Sequence, residues 1–517
     1  MIASLMLLGG AALALWLVVL AARGRTQLRS VTELESWSIG GRQFGATLVF
    51  LLLAGEIYTT FAVLGGSGWA YGKGGAAMYV VAYSPLAFVT SYWLLPRIWR
   101  YAKRTGAVSQ SDFFATTYRS TGLGHVVTVV GVIAMVPYLT LQLTGASLIV
   151  AETSYGRVSP AVATICGGVL LVVYSMIGGL RGAALNAVIK DVLILATMLA
   201  LAWYLPRHLY GGWGAMFQAV DAAHRGHTTL RSSVGYGVPW FVSTVLLSAA
   251  GFYLWPHLFA ATFSARHERV FRRNAVLLPM YNLLLLFSLI IGFTALATTP
   301  GLTGSAQDLA LLRLVKAELN PIVVGIIGVA GLLTALVPGA VLATTIGTLL
   351  ARNGYAVLRP NATDAQVSRV ARLIVPLVVA VAAVLVFRGG TTVVNLLLVG
   401  YAFITQMMPA LLCGFLRRNP LEKCGATAGI VVGVLAAGVS VFGGIGRAQL
   451  LRVFPEWLAE INVGIYALAL NVIVALTVSW LVRGSRAGDP GALRHQDRQR
   501  DEQADPHHHR VERFAEE

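Results

Sequence analysis

Four ionisable residues stand inside segments that are otherwise apolar: Glu56 in LLLAGEIYTTFAVLGGSGWA, Lys190 and Asp191 in NAVIKDVLI, and His257 in LWPHLFA. Glu56 lies about ten residues, or roughly 15 Å along a helix, from either end of its segment, so its carboxyl must face a cavity or a partner. Burial favours its neutral form and a nearby cation its charged form, so it could carry a proton, join a cation site, or sit protonated against a carbonyl. Lys190 and Asp191 lie one to two turns inside their segment. Successive helical residues diverge by about 100°, so nothing in the sequence forces these two to pair. Lys190 either snorkels to the nearer surface or points inward, where its ammonium would fill the space of a sodium ion. His257, beside Trp255 and Pro256, could take part in proton coupling or serve as a bonded structural histidine.

The elements that hold these groups are set by the solvent. The chain of 517 residues is 56% hydrophobic and only 12% charged, against about 25% charged in a soluble domain. Its apolar residues fall into blocks of about 18 to 28, the length that spans roughly 30 Å of hydrocarbon as a helix. About thirteen such spans are expected, giving an all-α membrane protein with lipid as its surroundings. The net charge of +17 comes mainly from arginines and lysines in short connecting loops, as topology signals do, so no nucleic-acid partner is expected. Loops holding Arg97, Arg100, Lys103 and Arg104, then Arg266, Arg269, Arg272 and Arg273, then Arg417, Arg418 and Lys423 fall on one side. That side is expected to be cytoplasmic in a bacterial inner membrane, with the N-terminus periplasmic and the C-terminus cytoplasmic.

Cys166, Cys413 and Cys424 have no disulfide or zinc spacing and read as small core residues, so no metal site and no cofactor are expected. Residues 483–517 are polar with mixed charge and read as a disordered cytoplasmic tail. His507, His508 and His509 in it read as incidental rather than metal-binding.

Two interrupted apolar segments open two runs of five spans, about 45–205 and 238–416. Paired interruptions of this kind mark transporters built from inverted repeats, a LeuT-type 5+5 core within the thirteen helices. Residues 1–44 then form a first helix and loop, 45–416 the core, and 417–482 two further helices. Pro256 removes a helical hydrogen bond and frees carbonyls for a cation or substrate, or simply kinks its helix. Tyr58, Thr59, Thr60, Tyr83, Gln142, Trp255 and Gln406 supply polar and aromatic groups on spans expected to line a central site for a small solute.

These residues resemble a known family. GGLRGAALNAVIKDVLI, from Gly178, is similar to the GGLRAVxWTDxxQ signature of the solute:sodium symporters, and AGEIYTTF to their first core-helix motif. WPHLFAATFSARHERVFRRNAVLLPMY from Trp255, TALVPGAVLATTIGTLLARNGY from Thr334 and QMMPAL from Gln406 resemble the bacterial monocarboxylate-permease branch. The resemblance runs from about 30 to 420 and implies alternating access with uptake of a small organic solute, such as pyruvate or lactate, driven by a cation gradient. It implies sodium ligands at the carbonyls of Ala54 and Ile57 and at hydroxyls on a later helix, but Val337 and Pro338 stand at the hydroxyl positions. The family's acidic residue in the fifth core helix falls at Ala187 and its glutamine at Lys190. Hard cations need oxygen ligands, so with these changes the coupling ion is expected to be Na+ or H+; in the H+ case Lys190 stands as a fixed or titrating positive charge with Glu56 or His257 as proton carrier. A carboxylate substrate could be received by free N–H groups near Tyr58 or the Trp255–Pro256 break.

Other classes are weaker. A sensory domain of symporter type would need a signalling partner, an enzyme would need a catalytic motif that is absent, and a channel would need a repeated selectivity loop. Alternating access requires one bundle to rock against another within a chain, so a functional monomer is expected.

Overall fold

A computed structural model describes residues 2–23, 32–55, 58–444 and 447–487. Glu56 and Ile57, the histidine run and most of the expected tail lie outside the described residues. Every named element is a helix. In chain order they are α1 (Ile2–Arg23), α2 (Glu33–Ile39), α3 (Ala46–Gly55), α4 (Gly66–Lys73), α5 (Tyr79–Thr105), α6 (Gln110–Thr117), α7 (Thr121–Thr153), α8 (Pro160–Tyr210), α9 (Trp213–Ala223), α10 (Val238–Gly251) and α11 (Pro256–Phe263). There follow α12 (Arg269–Asn282), α13 (Leu285–Thr298), α14 (Ala310–Glu318), α15 (Pro321–Leu350), α16 (Ala356–Leu358), α17 (Asp364–Arg388), α18 (Val393–Ile404), α19 (Met408–Gly414), α20 (Lys423–Phe442), α21 (Arg447–Leu450), α22 (Glu456–Ala459) and α23 (Val463–Ala487).

Among the described residues ten helices are long and apolar enough to cross a membrane, and the pair α10 and α11, bent by 48°, makes an eleventh. Length shows that some of these hold more than one crossing. α8 has 51 residues, about 76 Å of helix, more than twice the thickness of the hydrocarbon. It is kinked at Gly179, whose φ of 53° and ψ of −155° interrupt the helix in a backbone region that glycine tolerates and other residues rarely adopt.

The core is built around α15, which is buried along most of its length and packs on α1, α7, α8 and α17. Small residues let the backbones close up, as membrane helices require where lipid is as apolar as leucine. A Cβ on Gly325 would lie 2.6 Å from the sulfur of Met6, and one on Gly331 would lie 2.9 Å from Ile149. Large apolar side chains of α1, α17 and α23, among them Leu8, Trp16, Leu377 and Trp480, face outward as a lipid-facing surface would.

Two helices are broken at matching places in the two runs. The first path ends α3 at Gly55 and resumes with a π-helical turn, Phe61–Gly65, that leads into α4. The second ends α10 at Gly251, passes through a short 3-10 turn and an extended Trp255, and restarts α11 at Pro256. Pro256 occupies the first turn of α11, where a missing N–H costs nothing. The sequence expected it to interrupt a helix, and it does so by starting a new one.

Main-chain and side-chain hydrogen bonds cross-link segments at both ends of this core. On the arginine-rich face Phe44 N–H donates to Ser264 O, and Arg266 N–H donates to Phe44 O, each at 2.9 Å, while Trp99 Nε1 donates to Ala265 O at 2.8 Å. On the opposite face Gly75 N–H donates to His227 O at 2.9 Å, and Tyr71 Oη donates to Thr299 O at 2.8 Å.

Candidate functional site

Lys190 is fully buried and points inward, which settles the choice between snorkelling and inward pointing. Its Nζ donates to Gly55 O at 3.1 Å and to Tyr58 O at 3.0 Å, and lies 2.8 Å from Asp191 Oδ1. The first helix break thus presents main-chain oxygens, and an ammonium from α8 sits on them. The oxygens it takes are each one residue along from the pair the resemblance implied for sodium: Ala54 O instead accepts from Tyr58 N–H at 3.3 Å, and Ile57 is not among the described residues. Glycine at 55 makes room, since a Cβ there would come within 3.3 Å of Nζ.

Lys190 and Asp191 pair although adjacent helical residues diverge. The long lysine side chain swings to the break while Asp191, 3% exposed, also faces it. Tyr58 Oη donates to Tyr281 O at 2.9 Å, and the two rings meet edge to face at 4.8 Å, which closes the site on the α12 side. Val337 and Pro338 are buried in α15 and bring no hydroxyl. Of the oxygen ligands implied for sodium, the two hydroxyl positions carry hydrocarbon and Ala54 O is taken by the Tyr58 N–H, so the described residues do not form an oxygen cage for it.

The second break lines a separate cavity of about 10 Å³, room for about one water, walled by Phe61, Tyr83, Tyr138, Phe252, Trp255, His257, Leu258, Leu397 and Tyr401. His257 is its only side chain that can take a positive charge. Its ring lies 5.6 Å from that of Tyr138 and 5.8 Å from that of Trp255. Trp255 and Tyr83 each meet Tyr401 edge to face, at 5.5 and 5.8 Å. The break itself is pinned from the arginine-rich face by Gln110 of α6, whose Nε2 donates to Leu254 O. α6 is in turn fastened beyond α15: Asn353 Nδ2 donates to Asp112 Oδ1 at 2.7 Å, and Ser109 Oγ donates to Asn353 Oδ1 at 2.8 Å.

Of the expected solute-binding residues, Tyr83 and Trp255 line this cavity, joined by His257 from the expected proton carriers. Thr59 Oγ accepts from Phe61 N–H at 3.1 Å and shapes the π turn. Thr60 Oγ1 donates to Gln142 Oε1 at 2.9 Å, joining the first broken path to α7. Gln406 lies on the far side, donating to Ala402 O at 3.0 Å and taking a bond from Asn471 of α23. Tyr138 and Tyr401 were not singled out in the sequence. Each directly follows a helix-perturbing residue, Pro137 or Gly400, and that was the available signal.

Comparison with known proteins agrees with this architecture. The chain is 47% identical, over 94% of its length and 98% of the relative's, to the uncharacterized symporter YhjB of Bacillus subtilis (strain 168). It is 30% identical, over 88% of its length and 91% of the relative's, to the monocarboxylate transport permease protein of Rhizobium johnstonii. In fold it matches a Na+-coupled sialic acid symporter, seen in a substrate-bound outward-open state, with a TM-score of 0.75 at 13% identity, covering 93% of this chain and 98% of that one. The protein is therefore a multi-pass membrane transporter of LeuT-type fold and not an enzyme. Residues 37–433 match the sodium:solute symporter family model, and the chain belongs to that family of cation-coupled solute transporters.

Proposed function

We propose that this transporter imports a short monocarboxylate such as pyruvate or lactate together with a proton, and that Lys190 stands permanently where a coupling cation would otherwise bind. The observation that carries the coupling is the buried ammonium on Gly55 O and Tyr58 O, paired with Asp191. A lysine differs from a bound sodium ion in that it cannot leave, so it holds the cation position through the cycle while Glu56 or His257 takes the coupled proton from one bath and releases it to the other. The likeness to the Rhizobium permease supports the substrate class, and the tyrosine hydroxyls, indole N–H and imidazole gathered at the second break would suit a small anion once the site opens. A protonated His257 would receive a carboxylate there without any arginine. The distribution of basic loops supports a cytoplasmic arginine-rich face in a bacterial inner membrane, and the presence of both broken helices in one chain supports alternating access by a monomer.

Uptake of radiolabelled pyruvate and lactate into proteoliposomes, under an inward proton gradient or an inward sodium gradient at matched membrane potential, tests the proposal. Accumulation with the proton gradient alone is expected. Accumulation that requires sodium would refute the coupling, and none under either gradient would refute the substrate class.

A further inference from the structure

Asp308 lies in a short 3-10 turn, Gly304–Leu309, between α13 and α14, on the face opposite the arginine-rich loops. An aspartate in a connecting loop ordinarily sits in water. This one is 1% exposed. Its Oδ2 accepts from Val393 N–H, the first N–H of α18, at 2.8 Å, while its Oδ1 is buried with no hydrogen-bond partner. Three elements meet at this carboxyl. α4 comes so close that a Cβ on Gly68 would lie 2.9 Å from Oδ1 and 2.8 Å from Gln307 O. The indole of Trp69 donates to Thr392 Oγ1 at 3.4 Å, the residue just before Val393.

No charge compensates the carboxylate among the described residues packed around it. Lys73, at the end of α4, lies over the Tyr236 ring at 5.1 Å. Arg313 and Lys316 of α14 both pair with Glu152. Tyr71 of α4 uses its hydroxyl on Thr299 O. Only the Val393 N–H and the α18 N-terminus favour the ionised form, and burial opposes it.

We propose that Asp308 is a proton-binding site of the outer gate, taking up a proton from outside as the turn closes over α4 and α18 and giving it back as the turn opens. The proposal rests on alternating access and on the orientation argued above, and not on the substrate or on Lys190. The sign follows from burial. In the closed arrangement desolvation pushes the Asp308 carboxyl up to about 7, from an ordinary 3.8. A group that binds its proton more tightly in one state stabilises that state at low pH, so closure is favoured as pH falls through 7 and the effect is lost above it. With those two values the closed-to-open ratio changes by about 30-fold between about pH 8.5 and 5.5.

The test uses the full chain in intact cells, with Cys166, Cys413 and Cys424 replaced by serine and Leu397→Cys as reporter. Leu397 lines the central cavity on α18, one turn below Val393, so a membrane-impermeant cationic methanethiosulfonate reaches it from outside only through an open outer gate. Asp308→Asn in the same background mimics the protonated carboxyl and supplies the reference for the thiol's own pH dependence. The labelling rate divided by that of Asp308→Asn is expected to rise by up to about 30-fold from pH 5.5 to 8.5. Val393→Pro removes the N–H at a helix position that accepts proline, weakens the hold on the carboxylate, and is expected to move the midpoint upward. A ratio that does not change with pH, or a Val393→Pro midpoint that stays or falls, overturns the proposal. A response seen only in inverted vesicles overturns the assignment to the outer gate.

Discussion

Lys190→Ala separates an ammonium that completes a site from one that merely fills space. At 2.8 Å from Asp191 Oδ1 the pair attracts by roughly 6 kcal/mol at an effective dielectric of about 20. Each bond from a charged donor to a carbonyl adds about 1.5–3 kcal/mol. Desolvation of both ions offsets most of this, so the pair itself stabilises little, but removing one partner leaves the other charge buried and costs about 3–5 kcal/mol. The expected order of thermal unfolding midpoints in detergent is therefore wild type highest, Lys190→Ala lowest, and Lys190→Ala with Asp191→Asn recovering most of the loss. Removing the ammonium also frees Gly55 O and Tyr58 O beside an ionised Asp191, a cluster of oxygens that suits a monovalent cation. Sodium, against an equal concentration of choline, should then raise the midpoint of Lys190→Ala and leave the wild type unchanged. If the single and double variants melt together, or if sodium stabilises the wild type, the ammonium is not acting as the resident cation.

Two further perturbations address the second break. Gln110→Leu leaves Leu254 O without its donor, a cost of about 1–3 kcal/mol, and, if that cost falls on the transport step, should lower the maximal rate of uptake by about 5- to 150-fold with normal amounts of protein in the membrane. Gly400→Ala would put a Cβ 2.4 Å from the Trp255 ring; the ring must move into a cavity that holds about one water, so the concentration for half-maximal uptake should rise while folding, checked by thermal midpoint, loses no more than about 1–3 kcal/mol.

Much of this was legible from charge alone. Glu56, Lys190, Asp191 and His257 stand out because a charge inside an apolar block has few places to go, and three of them fall among the described residues in sites at or near the two breaks. The loss of hydroxyls at Val337 and Pro338, read beside the gain of Lys190, suggests an ammonium in place of a sodium ion; it lies on Gly55 O and Tyr58 O, each one residue along from the implied carbonyls. What stayed hidden depends on distance along the chain. Gln110 and Leu254 O are 144 residues apart, and a glutamine on a short loop helix carries no periodic signal. Gln406 looked like a cavity residue because its helix borders the cavity, but the 3-10 turn at Thr405–Met407 aims it toward α23. Asp308 went unnoticed because an acidic residue in a polar loop is the least informative kind, and only its burial makes it unusual.

The ammonium on the first break also bears on what can drive the cycle. A dissociable ion contributes work because it enters from one bath and leaves to the other, whereas a charge joined to the chain returns to its starting place each turn and sums to zero. Lys190 can contribute only through what it exchanges, which is at most one proton. Moving one proton with one monocarboxylate transfers no net charge, so on the proposed mechanism accumulation would follow the pH difference across the membrane and be indifferent to the electrical potential.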